Sequence, residues 1–552
     1  MAPIVRYIVP AAFIAVFLAL ATFALDKPGY YYDEVIFVPA SLRLLGDCDV
    51  DATVTRQWGC LPLMQTFGYV GAVKAWVHAP MLALFGTSVW TVRLPSILFG
   101  AASLFVLWSF ARRELGVLWA AVLLVVLATD PVLIGHARLD WGPHMIATFL
   151  RVVSLVTLWR WLQTGRTHWL LITCAAFLIG FIDKLNFVWV IAAWVGAAAL
   201  VTGHLAKSRL QSGRPWQPAI VALTAALLLW GSFTLVRRAL QLDIGGEGAT
   251  VTVFQHVTKV WNLYASTFSG TSVLNWVFGT DVPVTSAFNV LAMIQFAGAI
   301  VLLVVSRPWM PAKRLLAFLT VAWALLAIAI MATVQVGGTH HLISIWPLPT
   351  LHLVTLFAIA AQHLEGPTLS SGRRLRAVIA TAGTVIVGAL LAWNAAVNIR
   401  MIDAWQNDRD FTPPFDPAIA KLASRLNQLK VERVIAVDWG LHQQLVTLAD
   451  RTRAASYREW TWQLADARGN MEYPDLRRAV AAHVEGKRVA FVLHAPGQSV
   501  FPAARVQLDA LLQHDKPCSQ HEEMVAGATG TPLYTIVIAD WRDCTGATRP
   551  RR

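Results

Sequence analysis

Residues 84–116, LFGTSVWTVRLPSILFGAASLFVLWSFARRELG, join a long apolar run to a basic end. The apolar part, residues 88–110, is long enough to cross about 30 Å of hydrocarbon as a helix. Arg112 and Arg113 follow it directly, and basic residues beside a span favour the cytoplasmic side of a membrane. The stretch therefore predicts a membrane-spanning helix that ends in the cytoplasm.

The rest of the chain repeats this pattern. Of its 552 residues, 56% are hydrophobic and 14% are charged, and the mean hydropathy is +0.55, whereas soluble domains carry about 25% charged residues. Ten further apolar runs cover residues 4–25, 116–134, 144–162, 168–182, 186–203, 217–236, 285–306, 315–334, 343–362 and 377–399. We therefore expect an α-helical polytopic membrane protein with about 11 transmembrane helices.

Lys and Arg divide the connections between these runs into two kinds. Alternate connections are basic and contain Arg112 and Arg113, Arg160 and Arg166, Lys207, Arg209 and Arg214, Arg307, Lys313 and Arg314, and Arg373, Arg374 and Arg376. Because basic connections stay in the cytoplasm, we expect the amino terminus inside and residues 400–552 outside. The protein is then expected in the bacterial cytoplasmic (inner) membrane, with a periplasmic C-terminal domain.

The net charge of +13 follows from the same basic connections. No basic groove with interleaved aromatic residues is visible in the sequence, so a nucleic-acid partner is not expected.

The five cysteines fall in three places. Cys48 and Cys60 lie in the first polar loop, Cys518 and Cys544 lie in the C-terminal polar segment, and Cys174 lies in an apolar run. Disulfides form in oxidising compartments such as the periplasm. We expect the pairs Cys48–Cys60 and Cys518–Cys544, with four unpaired thiols as the alternative.

The chain is predicted to have two domains. Residues 1–399 form the transmembrane domain with outer loops 26–87 and 237–284, and residues 400–552 form the C-terminal domain. In the latter, the strand-like runs RVIAVDW, RVAFVLHAP and LYTIVIADW alternate with the helix-like runs DPAIAKLASRLNQL and DLRRAVAAHV. This alternation predicts a small α/β domain.

Three carboxylates on the predicted outer side are candidate catalytic groups. Asp33 and Glu34 lie in PGYYYDEVIF (residues 28–37), and Asp140 lies in HARLDWGPHM (residues 136–145). Ionisable residues close to a membrane are costly and indicate function, although an ordinary solvated helix cap is the alternative for the first pair. One acid could serve as general base while another orients a substrate hydroxyl or a metal ion.

Three cations are candidates for binding an anionic substrate: Lys74, Arg138 and Lys184. Lys74 lies in the amphipathic stretch GYVGAVKAWVHAPMLALFG, where a snorkelling anchor at the membrane interface is the alternative. Lys184 lies in GFIDKLNF, where a structural pair with Asp183 is the alternative.

His340 and His341 lie in GGTHHLISIWPLP at the outer end of a span. Adjacent residues of a helix do not face the same way, so one of the two is a candidate metal ligand or phosphate hydrogen-bond partner. Asp140 and His341 are the candidate metal ligands, which makes a divalent metal ion a candidate cofactor.

Nucleotide-binding motifs are not found in the sequence. It contains no Walker loop, no dinucleotide fingerprint and no nucleophile elbow. We therefore expect no nucleotide cofactor, and an activated substrate that reaches an outward-facing site through the membrane.

Two motifs together resemble a known family. The outer loop that begins with Asp33 and Glu34, followed by LFGTSVWTVRLPSILFGAASLFVLWSFARRELG and ATDPVLIGHARLDWGPHMI, is similar to the membrane-embedded C-type (GT-C) glycosyltransferases. The relevant members are the protein O-mannosyltransferases and the lipid A aminoarabinose transferases, and the resemblance covers roughly residues 10–200. It implies transfer of a sugar from a polyprenyl-phosphate donor, such as an undecaprenyl-phosphate sugar, to a lipid, glycan or protein acceptor at the outer face of the membrane.

The resemblance also implies roles for individual residues. Asp33 corresponds to the general base, with Glu34 its neighbour, and Asp140 to the second acid. The donor phosphate would meet Lys74 or Lys184, and His340 and His341 would lie near it. A single base acting directly implies inversion at the anomeric carbon. Where the aminoarabinose transferases carry Glu-Lys-Pro-Pro, this chain has QWGCLPLM, without an acid–base pair.

Two other classes of function remain as alternatives. A transporter or flippase for a lipid-linked glycan typically shows repeats and polar groups near the membrane midplane. A non-catalytic scaffold with a periplasmic binding domain would leave the outer acids unexplained. Here the polar residues gather at the outer ends of the spans and no repeat is visible, which favours the glycosyltransferase.

Overall fold

The computed structural model describes most of the chain. The described residues are 3–52, 54–65, 70–212, 214, 216–241, 253–305, 311–333, 338–363, 372–407, 411–450, 455–464 and 483–542.

The chain divides into two compact units, each made of several segments. Met1–Leu25, Phe67–Lys74 and Arg93–Ala404 form the first, which we call the helical unit. Asp26–Thr66, Ala75–Val92 and Trp405–Arg552 form the second, which we call the sheet unit. Most of the first outer loop, with Asp33 and Glu34, thus belongs to the same unit as the C-terminal domain.

Each of the eleven predicted apolar runs coincides with a helix or a bent helix pair. The helices are Pro3–Thr22, Val89–Glu114, Val117–Ala128 with Pro131–Leu139, His144–Thr164, Thr167–Asp183, Phe187–Ser212, Trp216–Gln241, Ala287–Val305, Pro311–Met331, Leu348–His363 and Gly372–Gln406. Within the described residues, seven helices are long and apolar enough to cross a membrane, or eight if the bent pair is one span. The polytopic helical class is confirmed, while the count of eleven spans stays a prediction.

The bent pair brings Asp140 to the end of a short helix. Val117–Ala128 and Pro131–Leu139 meet at 53°. Asp130 begins the second helix, because its Oδ1 accepts a hydrogen bond from the Val132 N–H at 2.9 Å. The short helix ends at Asp140, whose φ of +20° turns the chain toward the next span.

The described part of the second outer loop contains two helices. Val253–Phe268 and Thr271–Phe278 are both helices, joined at Gly270 with φ +75°. A Cβ at Gly270 would lie 2.6 Å from the Pro131 ring, so only glycine fits this turn. Residues 242–252 of this loop lie outside the described residues.

The first part of the sheet unit contains a small hairpin and two short helices. β1 (Val54–Trp58) pairs with β2 (Leu61–Gln65) in antiparallel fashion, and the helices Tyr32–Val35 and Phe37–Leu44 precede them. The predicted disulfide Cys48–Cys60 is present. Cys518 is also disulfide-bonded, but Cys544 lies outside the described residues, so the second pair stays a prediction.

The C-terminal part of the sheet unit is a five-stranded mixed sheet. Its strands are β3 (Arg433–Ala436), β4 (Ser456–Glu459), β5 (Arg488–His494), β6 (Ser519–Ala526) and β7 (Pro532–Asp540), in the order β4-β3-β5-β7-β6. β3 is parallel to both of its neighbours, whereas β5, β7 and β6 are antiparallel. The three predicted strands are β3, β5 and β7. The sequence did not indicate β4 and β6, because β4 is short and β6 is mostly exposed.

Helices cover both faces of this sheet. Pro502–Asp515 packs against the face that carries Phe491, and Ala418–Gln428 packs against the face that carries Val492, since alternate strand residues point to opposite sides. Ala418–Gln428 is one of the two predicted helices. The other, DLRRAVAAHV, falls almost wholly outside the described residues. The α/β class of the domain is confirmed.

Candidate active site

Asp140 lies at the centre of a buried polar cluster in the helical unit. Its Oδ2 is 2.8 Å from Lys74 Nζ and accepts a hydrogen bond from Ser96 Oγ at 2.8 Å. Its Oδ1 accepts one from the Met145 N–H at 2.9 Å. Lys74 is 1% exposed and Asp140 2%. Lys74 is therefore not a snorkelling anchor, but half of a buried ion pair.

A second pair lies beside the first. Lys184 Nζ and His144 Nε2 are 3.0 Å apart, and both side chains are buried. Because a lysine ammonium only donates, His144 accepts at Nε2 and carries its proton on Nδ1. A Cβ at Gly142, whose φ is +78°, would lie 3.7 Å from Lys184 Nζ. The turn Asp140–Gly142 thus lies beside Lys184 and contacts Lys74, whose Nζ donates to the Gly142 carbonyl at 3.4 Å.

A short backbone pairing links the segments that carry the two lysines. Val70 forms an antiparallel bridge with Lys184, and the Gly71 N–H donates to the Asp183 carbonyl at 2.8 Å. A Cβ at Gly71 would lie 1.7 Å from the Ile182 carbonyl oxygen, so no other residue fits there without separating the strands. The pairing fixes the two lysine-bearing segments against each other.

Asp183 is buried in the same region, but it is not hydrogen-bonded to Lys184. It is fully buried, and neither of its carboxylate oxygens has a hydrogen-bond partner among the described residues. Asp183 ends a helix and Lys184 is extended at φ −153° and ψ 127°, so their side chains diverge. With Lys74 and Lys184 it interacts through charge alone.

The two predicted histidines extend this group. The rings of His144 and His340 have centroids 5.7 Å apart, and those of His340 and His341 are 4.2 Å apart. His341 also contacts Trp189 with ring centroids 6.4 Å apart. A row of imidazoles therefore continues from Lys184, at the start of the short helix Thr339–Leu342.

Arg138 is directed elsewhere. It is fully buried, and its guanidinium donates to the carbonyls of Ala21, Phe23 and Ala24, where the first helix ends. These contacts satisfy carbonyl groups that the helix end leaves without partners. A role of Arg138 in substrate binding stays a prediction.

Asp33 and Glu34 belong to the sheet unit, in the helix Tyr32–Val35. Glu34 is buried and its Oε2 accepts a hydrogen bond from the Tyr31 N–H at 3.3 Å, so its carboxylate caps the helix. Asp33 is half-buried. Burial, and then the charge of Asp33, raise the pKa of Tyr31 well above its usual value. Tyr31 therefore keeps its proton at neutral pH, and a role of Asp33 as base stays a prediction.

The predicted metal ligands do not fit a metal ion in this arrangement. The described residues contain no group of three or more His, Cys, Asp or Glu side chains that could hold one. The Asp140 carboxylate is already surrounded by the Lys74 ammonium and two hydrogen-bond donors.

Two residues of the cluster were not assigned a role from the sequence: Ser96 and His144. Ser96 lies in the motif RLPS and His144 flanks Asp140, but nothing local distinguishes a serine in a span from an ordinary helix residue. Their roles depend on contacts with residues 40 or 44 positions away.

Part of the chain is similar to a family of known proteins. Residues 70–230 match the profile of the family described as dolichyl-phosphate-mannose-protein mannosyltransferase. These residues include all of Lys74, Asp140 and Lys184. The solved oligosaccharyltransferase of Archaeoglobus fulgidus, in complex with Zn and sulfate, superposes with a TM-score of 0.50 at 12% identity, covering 95% of this chain and 72% of its own. The chain shares the fold of this oligosaccharyltransferase.

Two other similar proteins either superpose less well on this chain or match a smaller part of it. ArnT from Cupriavidus metallidurans, solved in the apo state and bound to undecaprenyl phosphate, gives a TM-score of 0.47 at 15% identity, covering 95% of this chain and 97% of ArnT. The putative mannosyltransferase YycA of Bacillus subtilis (strain 168) is 26% identical over 161 residues, which is 29% of this chain. The matched region spans 23% of the length of YycA.

Proposed function

We propose that this protein is a glycosyltransferase that moves a sugar from a polyprenyl-phosphate donor to an acceptor at the outer face of the cytoplasmic membrane. The observation that carries the proposal is the buried lysine cluster. Its two lysines and Asp140 lie within the residues that match the mannosyltransferase family, whose name specifies a lipid-phosphate sugar.

The cluster suits a donor phosphate. A sugar phosphate bond breaks to release a phosphate anion, and fixed cations and N–H donors stabilise charge that develops there. Lys184, with His144 and His340 beside it, supplies such groups in a water-poor environment. Lys74 holds the Asp140 carboxylate, and Asp140 in turn fixes the start of the His144–Thr164 helix through the Met145 N–H.

Asp33 is the proposed general base. Its carboxylate takes the proton from the acceptor hydroxyl while the oxygen forms a bond to the anomeric carbon. The bond from that carbon to the phosphate oxygen breaks, and the lipid phosphate keeps the electron pair. One direct displacement inverts the anomeric centre. Glu34 is assigned the structural role of capping the helix that carries Asp33.

The test uses purified protein in liposomes with radiolabelled polyprenyl-phosphate sugars, offered one at a time. Asp33→Asn removes the base and keeps the shape of the side chain, and Asp47→Asn, at an exposed acid of the same loop, is the matched control. We expect turnover in the parent and in the control, and a loss of about 100-fold or more in Asp33→Asn with donor binding retained.

Other outcomes separate the alternatives. Full activity of Asp33→Asn would remove Asp33 from the chemistry. Absence of turnover in the parent with every donor, together with movement of the lipid across the bilayer, would overturn the transferase in favour of a lipid transporter.

A further inference from the structure

The three tyrosines beside Asp33 dock on the C-terminal part of the sheet unit. Tyr31 stacks on Phe415, with ring centroids 4.6 Å apart and the planes inclined by 16°. The Gly29 N–H donates to the Phe415 carbonyl at 2.9 Å. Gln444 donates from its side-chain amide to the Tyr30 carbonyl, and both residues are buried. Residues about 400 positions apart in the chain therefore form one packed surface.

The tyrosines dock at the edge of the sheet formed by the carboxyl ends of its parallel strands, where α/β domains bind their ligands. β3 is parallel to both of its neighbours. The next strand in the chain, β4, lies on one side of β3 and β5 lies on the other, so the strand order reverses at β3. In open α/β sheets, ligands bind outside the carboxyl ends of the strands at such a reversal. Trp439 and Gly440 follow β3 there, and the Tyr32 ring lies 4.9 Å from the Trp439 ring. Tyr32 therefore occupies part of this edge.

A second stretch of the same outer loop is bound to the same edge. His442 Nε2 donates to the Asp51 carbonyl at 2.6 Å, and the Glu459 N–H donates to Asp51 Oδ2 at 3.0 Å. Arg458 donates to the Asp49 carbonyl at 2.9 Å. Asp33 thus lies between two anchored stretches, residues 29–32 and residues 49–51.

In the first anchored stretch, residues 29–32, the backbone at Gly29 lies so close to Asp416 that one added carbon atom would clash. A Cβ on Gly29 would lie 2.5 Å from the Asp416 carbonyl oxygen and 3.1 Å from Pro417 Cα. The Asp416 backbone cannot move aside easily, because its Oδ1 accepts from the Ala418 N–H at 2.7 Å and begins a helix. Only glycine allows residues 29–32 to lie this close.

We propose that the C-terminal domain positions the catalytic loop, with Gly29 and Gln444 as positioning residues for Asp33. The proposal rests on the proposed function, because it takes Asp33 as the base. The domain is then part of the catalytic apparatus and not an appendage that only receives the acceptor. Its sheet edge holds a segment of its own chain in place of a small-molecule ligand.

The test compares Gly29→Ala and Gln444→Met with the parent in lipid nanodiscs. Gln444→Met keeps the side-chain volume and removes the amide that donates to the Tyr30 carbonyl. The control is Gly388→Ala, since a Cβ at that helix position meets nothing within 4 Å. Two properties are measured: hydrogen exchange of residues 29–36, and kcat and KM with the polyprenyl-phosphate sugar.

We expect faster exchange at residues 29–36 in both variants and a fall in kcat of about tenfold or more, because small displacements of a catalytic group are costly. The donor KM should stay unchanged, because the groups proposed to bind the donor phosphate belong to the helical unit. A merely structural defect would lower the amount of folded enzyme without changing the pH profile of kcat. A displaced Asp33 would instead shift that profile.

Three results would overturn the proposal. Unchanged exchange in both variants would show that these contacts do not hold the loop. Faster exchange with parental kcat would show that the docking does not serve catalysis. An equal effect of Gly388→Ala would make the loss unspecific. A parent without turnover would overturn the proposed function instead, and the exchange measurement would still decide whether the loop docks.

Discussion

The buried Lys74–Asp140 pair allows a quantitative prediction. At 2.8 Å and an effective dielectric constant of about 20, the attraction amounts to about 6 kcal/mol. Most of this offsets the cost of taking both charges out of water, so the net worth of the pair is much smaller. Removing only one partner, however, leaves the other charge buried and costs about 3–5 kcal/mol.

The two single substitutions are not expected to be equal. Lys74→Met leaves the Asp140 carboxylate without its cation and should cost about 3–5 kcal/mol of unfolding free energy. Asp140→Asn leaves the Lys74 ammonium with the carbonyls of Asp140 and Gly142, at 3.1 and 3.4 Å, to accept its hydrogen bonds. Its cost should therefore be smaller, about 1–3 kcal/mol.

The double variant, Lys74→Met with Asp140→Asn, should be more stable than Lys74→Met alone. Both charges are then absent, and a coupling of about 2–3 kcal/mol is expected. Unfolding would be followed by tryptophan fluorescence during SDS titration in mixed micelles. The half-buried surface pair Arg505–Asp509, four residues apart on one helix, serves as the control cycle, since such helix pairs couple by about 0.5 kcal/mol or less. Costs that simply add at Lys74 and Asp140 would refute the account of a buried ion pair.

Three further predictions concern the rest of the fold. Gly71→Ala places a Cβ 1.7 Å from the Ile182 carbonyl oxygen, so it should lower the unfolding free energy in the same SDS titration by more than about 2 kcal/mol. The control is Gly203→Ala, whose Cβ meets nothing within 4 Å. An effect of Gly71→Ala no larger than that of the control would contradict the close contact. Reducing the Cys48–Cys60 bond, which closes a loop over a separation of 12 residues, should cost about 3 kcal/mol by its effect on the unfolded chain; an unchanged thermal unfolding curve with reductant would argue against this. Hydrogen bonds from Arg425 hold the pKa of Glu523 below its usual value, so this carboxylate stabilises the fold above its unfolded-state pKa and less as the pH falls through its folded-state pKa. Arg425→Gln should reduce the loss of stability on acidification through the titration of this carboxylate, and an identical pH profile in thermal unfolding would contradict the pairing.

The sequence by itself determined the helices and the class of the protein. A helix satisfies its backbone hydrogen bonds within its own segment, so a helical span in a membrane is a long apolar run that is visible locally in the sequence. The three strands β3, β5 and β7 were visible for a similar reason, since their central residues are buried on both faces of the sheet. The exposed strand β6 gave no such signal.

The contacts between distant residues were decided only by the tertiary structure. The sequence left Lys74 between an interface anchor and a substrate ligand, and Lys184 between Asp183 and a substrate. Lys74 instead meets Asp140, 66 positions away, and Lys184 meets His144, 40 positions away. These partners depend on how the spans pack and on a bend at Asp140, neither of which a local pattern encodes.

The three tyrosines of PGYYYDEVIF show the same division. Their position beside two acids just after the first span predicted a functional loop, because ionisable residues close to a membrane are costly. The residues that contact these tyrosines lie about 400 positions later in the chain, where Phe415, Trp439 and Gln444 form the surface on which they pack. The packing partner of a chain segment depends on complementary shape and on hydrogen bonds that form only on folding. The sequence therefore determined the loop, while the tertiary structure decided which residues hold it.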